Sequence, residues 1–186
     1  EDKGGRKVAL RYDQTVPLAR VVAQYQNQLP LPFKRYQISN VWRGENPQAG
    51  RFREFLQCDI DTVGTDSVLA DAEIIEITTK CLTELGFNDF KILLNDRSVF
   101  SIFVAEEIRV MDKIKKIEID GVANELVEKG LAENTQKAKE KIEKLRNEAP
   151  SERLKKVIDL LGKLGVSNDK IKFDSMLARG LDYYTG

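Results

Sequence analysis

The chain has 186 residues, 41% of them hydrophobic, and its 30 Lys and Arg balance its 30 Asp and Glu to a formal charge of zero. That size and apolar fraction allow one large domain plus a smaller one, and the charge balance excludes a protein that holds nucleic acid mainly by neutralising phosphates, so any RNA contact must be local. With no histidine, and with two cysteines that fit no ligand spacing, a structural zinc site is excluded. Cys58 and Cys81 read instead as small core residues of a reducing compartment, and with no apolar run of membrane length and no signal peptide the expected place is the cytoplasm.

Residues Glu1 to Lys7 are polar, with Gly4-Gly5 marking a turn. From Val8 to Thr15 the chain alternates, which places Arg11, Asp13 and Thr15 on one face. A carboxylate and a hydroxyl side by side make a cage for an ammonium group. The same two residues serve equally well as the cap of a helix over Pro17 to Gln26, and the residues alone leave both uses open.

The stretch Phe33 to Gly64 reads as two strands and a charged loop. Alternation sets Tyr36, Ile38 and Trp42 against Arg35, Gln37 and Arg43 on the first arm. On the second it sets Leu56, Cys58 and Ile60 against Gln57, Asp59 and Asp61. The expectation is an apolar side that meets a core and a polar side whose groups converge. Between the arms, Gly44, Pro47 and Gly50 sit among Arg43, Glu45, Arg51 and Arg53. Guanidinium forks suit a phosphate because they donate two parallel hydrogen bonds. A surface hairpin with scattered ion pairs, each worth roughly 0 to 1 kcal/mol, fits the pattern as well.

Downstream, Ile74, Ile77, Cys81, Leu82 and Leu85 predict a packing helix over Ser67 to Leu85, capped by Asp66 or Ser67 and stopped at Gly86. Phe90 to Asn95 predicts a short buried strand. The chain then turns to charged helical sequence, with helices expected over Gly121 to Lys129, Thr135 to Asn147 and Ser151 to Leu164. The Lys-rich run 137–146 is either a solvated face or a local RNA contact. Lys172 to Asp174 predicts a return to a sheet, followed by a compact turn that gathers Arg179, Asp182, Tyr183 and Tyr184.

Three strings, in order, resemble one family. VWRGENPQAGRFREFLQCD (Val41 to Asp59) is similar to motif 2 of class II aminoacyl-tRNA synthetases, in the wording of the histidine-specific family. LRYDQTVPLAR (Leu10 to Arg20) and LARGLDYYTG (Leu177 to Gly186) resemble that family's two histidine-specific signatures. The resemblance implies an α+β fold with a class II antiparallel sheet flanked by helices and carrying a helical insertion domain. It divides the chain into catalytic core over 1–103, insertion over 104–168 and a return to the core over 169–186.

By the same resemblance, Arg43 and Arg179 flank the α-phosphate of ATP as the catalytic pair, while Glu45, Arg51 and Phe55 complete the nucleotide site and Mg2+ bridges the phosphates. Asp13, Thr15 and Gln57 hold the histidine amine, and Asp61, Tyr183 and Tyr184 belong to the histidine pocket. Asp13 stands where the family has Glu or Asp. The implied partners are histidine, tRNA(His) and, in the full-length protein, a second copy as a homodimer; no protein metal ligands and no membrane are implied.

Two relatives of this family offer other functions. One is a regulatory paralogue that acts with ATP phosphoribosyltransferase in histidine biosynthesis without charging tRNA, and the other is a synthetase-like sensor of uncharged tRNA. The presence of Asp13, Thr15 and Arg179 speaks against both. Motif 1, motif 3 and an anticodon-binding domain are not found, so the stretch is expected to be an incomplete catalyst. Near Val104 to Ile108 the family has several more residues than this chain.

Overall fold

A computed structural model describes residues 1–178. Its contacts divide the chain into two compact units, Glu1–Ala70 and Asp71–Gly186.

The first unit is built on a long hairpin. Strands β1 (Phe33–Trp42) and β2 (Glu54–Val63) pair antiparallel from Phe33 opposite Val63 to Trp42 opposite Glu54. Helix α1 (Thr15–Tyr25) precedes them and buries Leu18. The alternation over 8–15 does not form a strand. Its one backbone ladder contact is the Trp42 N–H donated to the Arg11 carbonyl at 2.8 Å. The reason is local: α1 begins at Thr15, and an oxygen of Asp13 accepts the Val16 N–H at 3.3 Å, so this carboxylate serves the otherwise unpaired helix start.

The polar groups of the hairpin converge as expected, but much of its apolar side is open, with Trp42 and Ile60 half-buried. Tyr36, Ile38 and Leu56, read as core-facing, are 76%, 55% and 66% exposed, and Cys58 is exposed too. The covered face carries Arg35, Gln37, Ser39 and Val41. Period-two alternation separates two faces but carries no label for the inner one, and here the segment before α1 lies on the polar face through hydrogen bonds.

In the second unit, α2 (Val68–Glu84) ends as expected. Gly86 adopts φ +87°, and the Phe87 N–H closes back on the Leu82 carbonyl at 3.0 Å, the geometry of a Schellman stop. Its buried line runs through Ala72 and Thr79, however. The predicted stripe is therefore turned partly outward, leaving Ile77, Cys81 and Leu85 exposed. Cys81, like Cys58, is not a core residue.

The short strand β3 (Ile92–Leu94) is half-buried and pairs in parallel with β4 (Ile171–Phe173). Between them run α3 (Ala105–Met111), α4 (Ile114–Glu128), α5 (Thr135–Arg146) and α6 (Glu152–Lys163). Helix α4 is broken at Glu118, at φ 60°. Val99, Phe100, Ile108, Met111, Val122, Leu126, Ile142, Leu145 and Ala178 form one apolar cluster. Burying each large side chain there stabilises by about 1.5–3 kcal/mol. Helix α6 adds Leu154, Val157 and Leu161, with the Ser151 hydroxyl accepting the Leu154 N–H at 3.1 Å. At the start of α3 the Ile108 N–H reaches the Val104 carbonyl at 3.2 Å, and buried Glu107 accepts the Val104 N–H and the Lys141 ammonium.

Candidate active site on the hairpin

The odd-numbered residues of β1 and β2 share one face, so the register sets Arg35 across from Asp61, Gln37 from Asp59, Ser39 from Gln57 and Val41 from Phe55. A row of forks, amides and carboxylates results, with two foci.

At the loop end of the hairpin, a cavity of about 340 Å³ is lined by Arg43, Glu45, Gly50, Arg51, Phe52 and Phe55. The loop closes through the Arg43 N–H to the Arg53 carbonyl (2.8 Å) and a turn joining Gln48 to Arg51, with Gly50 at φ +76°. Only a residue free of a Cβ takes that conformation cheaply. Arg43 is half-buried and held from two sides, its Nε donating to the Tyr12 carbonyl (3.2 Å) and an Nη to Gln57 Oε1 (3.3 Å). Its guanidinium lies 5.0 Å over the centre of the Phe55 ring. Arg51 is more loosely placed, 65% exposed and 3.7 Å from the Glu45 carboxylate. One guanidinium is thus fixed and the other is free to swing, which suits an inner and an outer phosphate.

The other focus lies where α1 begins. Gln14 is fully buried between Asp13 and Thr15. Its amide nitrogen bridges the two strands, donating to the carbonyls of Ser39 (3.3 Å) and Gln57 (2.9 Å). Arg35 donates to Asp61 (2.8 Å), to the Gln14 carbonyl (2.9 Å) and to the Gln37 amide oxygen. Gln57 joins the foci: its side chain holds Arg43 and donates to Asp59 (2.8 Å), while its carbonyl receives Gln14.

The structure therefore brings Arg43, Glu45, Arg51 and Phe55 around one cavity and ties Gln57 and Asp61 into one network through Gln14 and Arg35, with Asp13 adjoining it as the chain neighbour of Gln14 and bonded to the Val16 N–H. Thr15 is the half-buried first residue of α1. Arg179, Tyr183 and Tyr184 lie outside the described residues. Gln14 was missed because an amide between Asp and Thr reads as solvated. Arg35 had a signal, a fork and a carboxylate on the same face of antiparallel arms.

The family model described as Histidyl-tRNA synthetase matches residues 1–186. The chain belongs to the histidyl-tRNA synthetase family. It is 40% identical to the histidine--tRNA ligase of Treponema denticola and 42% identical to that of Helicobacter acinonychis, in each case over all of this chain but only 48% and 49% of the relative. The chain thus spans about half the length of the curated relatives it matches. Those alignments run to 215 and 217 positions against 186 residues, so the relatives carry residues within the matched span that this chain lacks.

Among solved structures, histidyl-tRNA synthetase from Nostoc sp. PCC 7120 is 33% identical with a TM-score of 0.82, covering 96% of this chain and 48% of that one. An ATP phosphoribosyltransferase regulatory subunit/histidyl-tRNA synthetase from Bacillus halodurans C shares the fold, with a TM-score of 0.76 at 22% identity over 100% of this chain and 54% of its own. The α+β class II reading of the sequence agrees with these neighbours.

Proposed function

We propose that the full-length protein activates histidine with ATP and transfers it to tRNA(His), and that this chain carries the central part of the catalytic region. The observation that carries the reading is Arg43, clamped by Tyr12 and Gln57 over Phe55 at the wall of the loop cavity. ATP would lie in that cavity with its α-phosphate between Arg43 and Arg179, Arg51 on the outer phosphates and Glu45 toward adenine. Adenine would stack on the Phe55 face that Arg43 does not cover.

Asp13, Thr15 and Gln57 would hold the amine, with the imidazole read by Asp61, Tyr183 and Tyr184. A carboxylate oxygen of histidine attacks the α-phosphorus in line, the bond to the bridging oxygen breaks, and pyrophosphate leaves with that electron pair. No nucleophilic side chain or general base is needed, because fixed cations stabilise the charge spread over phosphorus.

Mg2+ fits as a companion of ATP. Glu45 is the single carboxylate lining the cavity, and no cluster of three metal-ligating side chains exists among the described residues. Phosphate oxygens and water would supply the remaining ligands, and the ion would offset phosphate charge. The helical block over 104–168 would be the insertion domain that approaches the acceptor stem. The protein would act as a cytoplasmic homodimer; among the described residues no helix is long and apolar enough to cross a membrane.

ATP–pyrophosphate exchange with histidine tests the reading in the full-length protein. Exchange that Arg179→Ala cuts sharply without unfolding is the expected result, and near-normal exchange by that variant would count against the assignment. Absence of exchange in the unaltered protein would favour the regulatory paralogue, whose fold the 22% identical neighbour represents.

A further inference from the structure

We propose that Arg35 is a positioning residue of the amino-acid slot, holding Asp61 and the Asp13-Gln14-Thr15 segment in fixed relation; this rests on the reading that Asp61 meets the imidazole. The Arg35 side chain is 14% exposed and Asp61's is 25%, so the pair is largely withdrawn from water. Each arm of the Arg35 fork goes to a different part of the site. Nε takes Asp61 Oδ2, one Nη takes Gln37, and the other reaches the Gln14 carbonyl at the start of α1.

Gln14 continues the chain of contacts, its amide nitrogen pinning the same backbone to both strands. Its amide oxygen is buried with no hydrogen-bond partner among the described residues. A polar side chain is placed there in spite of that cost, which marks its contacts with the strands as the reason for it.

Two consequences follow for the slot. The distance between the amine-binding end (Asp13, Thr15) and the imidazole-reading end (Asp61) is set by the span of one planar guanidinium, which a lysine cannot reproduce. In addition, Asp61 reaches its ligand already charge-paired. With Oδ2 accepting from Arg35, Oδ1 would be the oxygen left to accept from the ligand within an ion pair of no net charge, which suits a neutral N–H donor such as imidazole.

Pyrophosphate exchange by the full-length protein tests this. Arg35→Met should raise the KM for histidine about tenfold or more, the worth of a hydrogen bond to a charged group, and should leave the KM for ATP unchanged. Arg35→Lys, which keeps charge without the fork, should recover part of that loss and serves if Arg35→Met does not fold. Added to Asp61→Asn, Arg35→Met should raise the KM for histidine by less than it does alone, since part of its effect passes through that carboxylate and part through the Gln14 carbonyl. Equal increases in both KM values, or full additivity in the double variant, overturns the proposal. If Asp61→Asn alone leaves the KM for histidine unchanged, the parent reading of the slot fails and takes this one with it. If Asp61→Asn raises it and the Arg35 variants do not, only the positioning role is lost.

Discussion

Residues 1–70 and the described residues of 71–186 withdraw different mixtures of side chain from water. In the first unit the withdrawn groups include Gln14, Asp13, Arg35 and Gln37, while Tyr36, Ile38 and Leu56 stand in solvent. In the second, nearly every closed position is aliphatic or aromatic, and the buried Glu107 is satisfied by Lys141 and a backbone N–H. The difference separates two tasks. Apolar burial supplies stability without direction, whereas a network of forks and amides supplies direction at modest net stability. The hairpin unit is rich in directed polar contacts and the helical unit in apolar burial.

The largest test of that contrast is Leu126→Ala. Leu126 is fully buried in the helical cluster, and truncation should cost about 2–5 kcal/mol of unfolding free energy, read from the urea midpoint of the 186-residue chain. Next comes Arg43→Ala, which reverses the pattern. If one clamped cation stabilises the transition state as an oxyanion donor does, exchange by the full-length protein should fall by about 3–4 kcal/mol in activation free energy. Loss of its bonds to Tyr12 and Gln57 should cost folding only about 1–2 kcal/mol. An Arg43→Ala chain that unfolds outright would erase the distinction between the two units.

Much of the helical unit was legible in the residues. Ser151 before a stripe of Leu154, Val157 and Leu161 located α6, and Gly86 stopped α2, because capping and periodicity are local signals. The orientation of the hairpin was not legible. Tyr36 and Ile38 look like core residues and Arg35 and Gln37 like surface ones, yet what covers a sheet face is decided by distant segments, here the one ending at Gln14. The forks and glycines of the string around Arg43 fitted an anion cradle and a plain surface hairpin equally well, and only the resemblance named Glu45, Arg51 and Phe55 with Arg43, the residues that line one cavity. The buried bridge made by Gln14 depends on contacts 25 and 43 residues away and leaves no local trace.

A smaller effect probes how polar groups serve the helical unit. The Asp96 carboxylate accepts the Ser98 N–H at 2.8 Å and the Ser151 hydroxyl at 2.6 Å, linking a 3-10 turn to the start of α6. Partial burial alone would raise its pKa, but the bonds from Ser151 and Ser98 together with nearby Arg153 outweigh burial and hold it below the usual carboxylate range. A folded value under the unfolded one means that this contribution is present above the unfolded pKa of about 3.9 and is lost as pH falls through the folded value. Asp96→Asn should therefore cost about 1 kcal/mol at neutral pH and flatten the acid limb of stability below about pH 4. An unchanged acid limb would show that other carboxylates govern it.

The smallest expected effect sharpens the contrast most. Ile38 and Leu56 point from the hairpin face that alternation assigns to a core, yet they are 55% and 66% exposed. Were that face sealed, replacing both by threonine would forfeit about 1.5–3 kcal/mol for each side chain. On an open face only cross-strand contacts remain, Ile38 against Cys58 and Leu56 against Asn40, each worth about 0.2–1 kcal/mol. Threonine keeps the strand preference, so Ile38→Thr with Leu56→Thr should move the urea midpoint of this chain by less than the equivalent of about 1 kcal/mol. A loss several times larger would mean that the face is covered, and that the hairpin unit is stabilised by apolar burial after all.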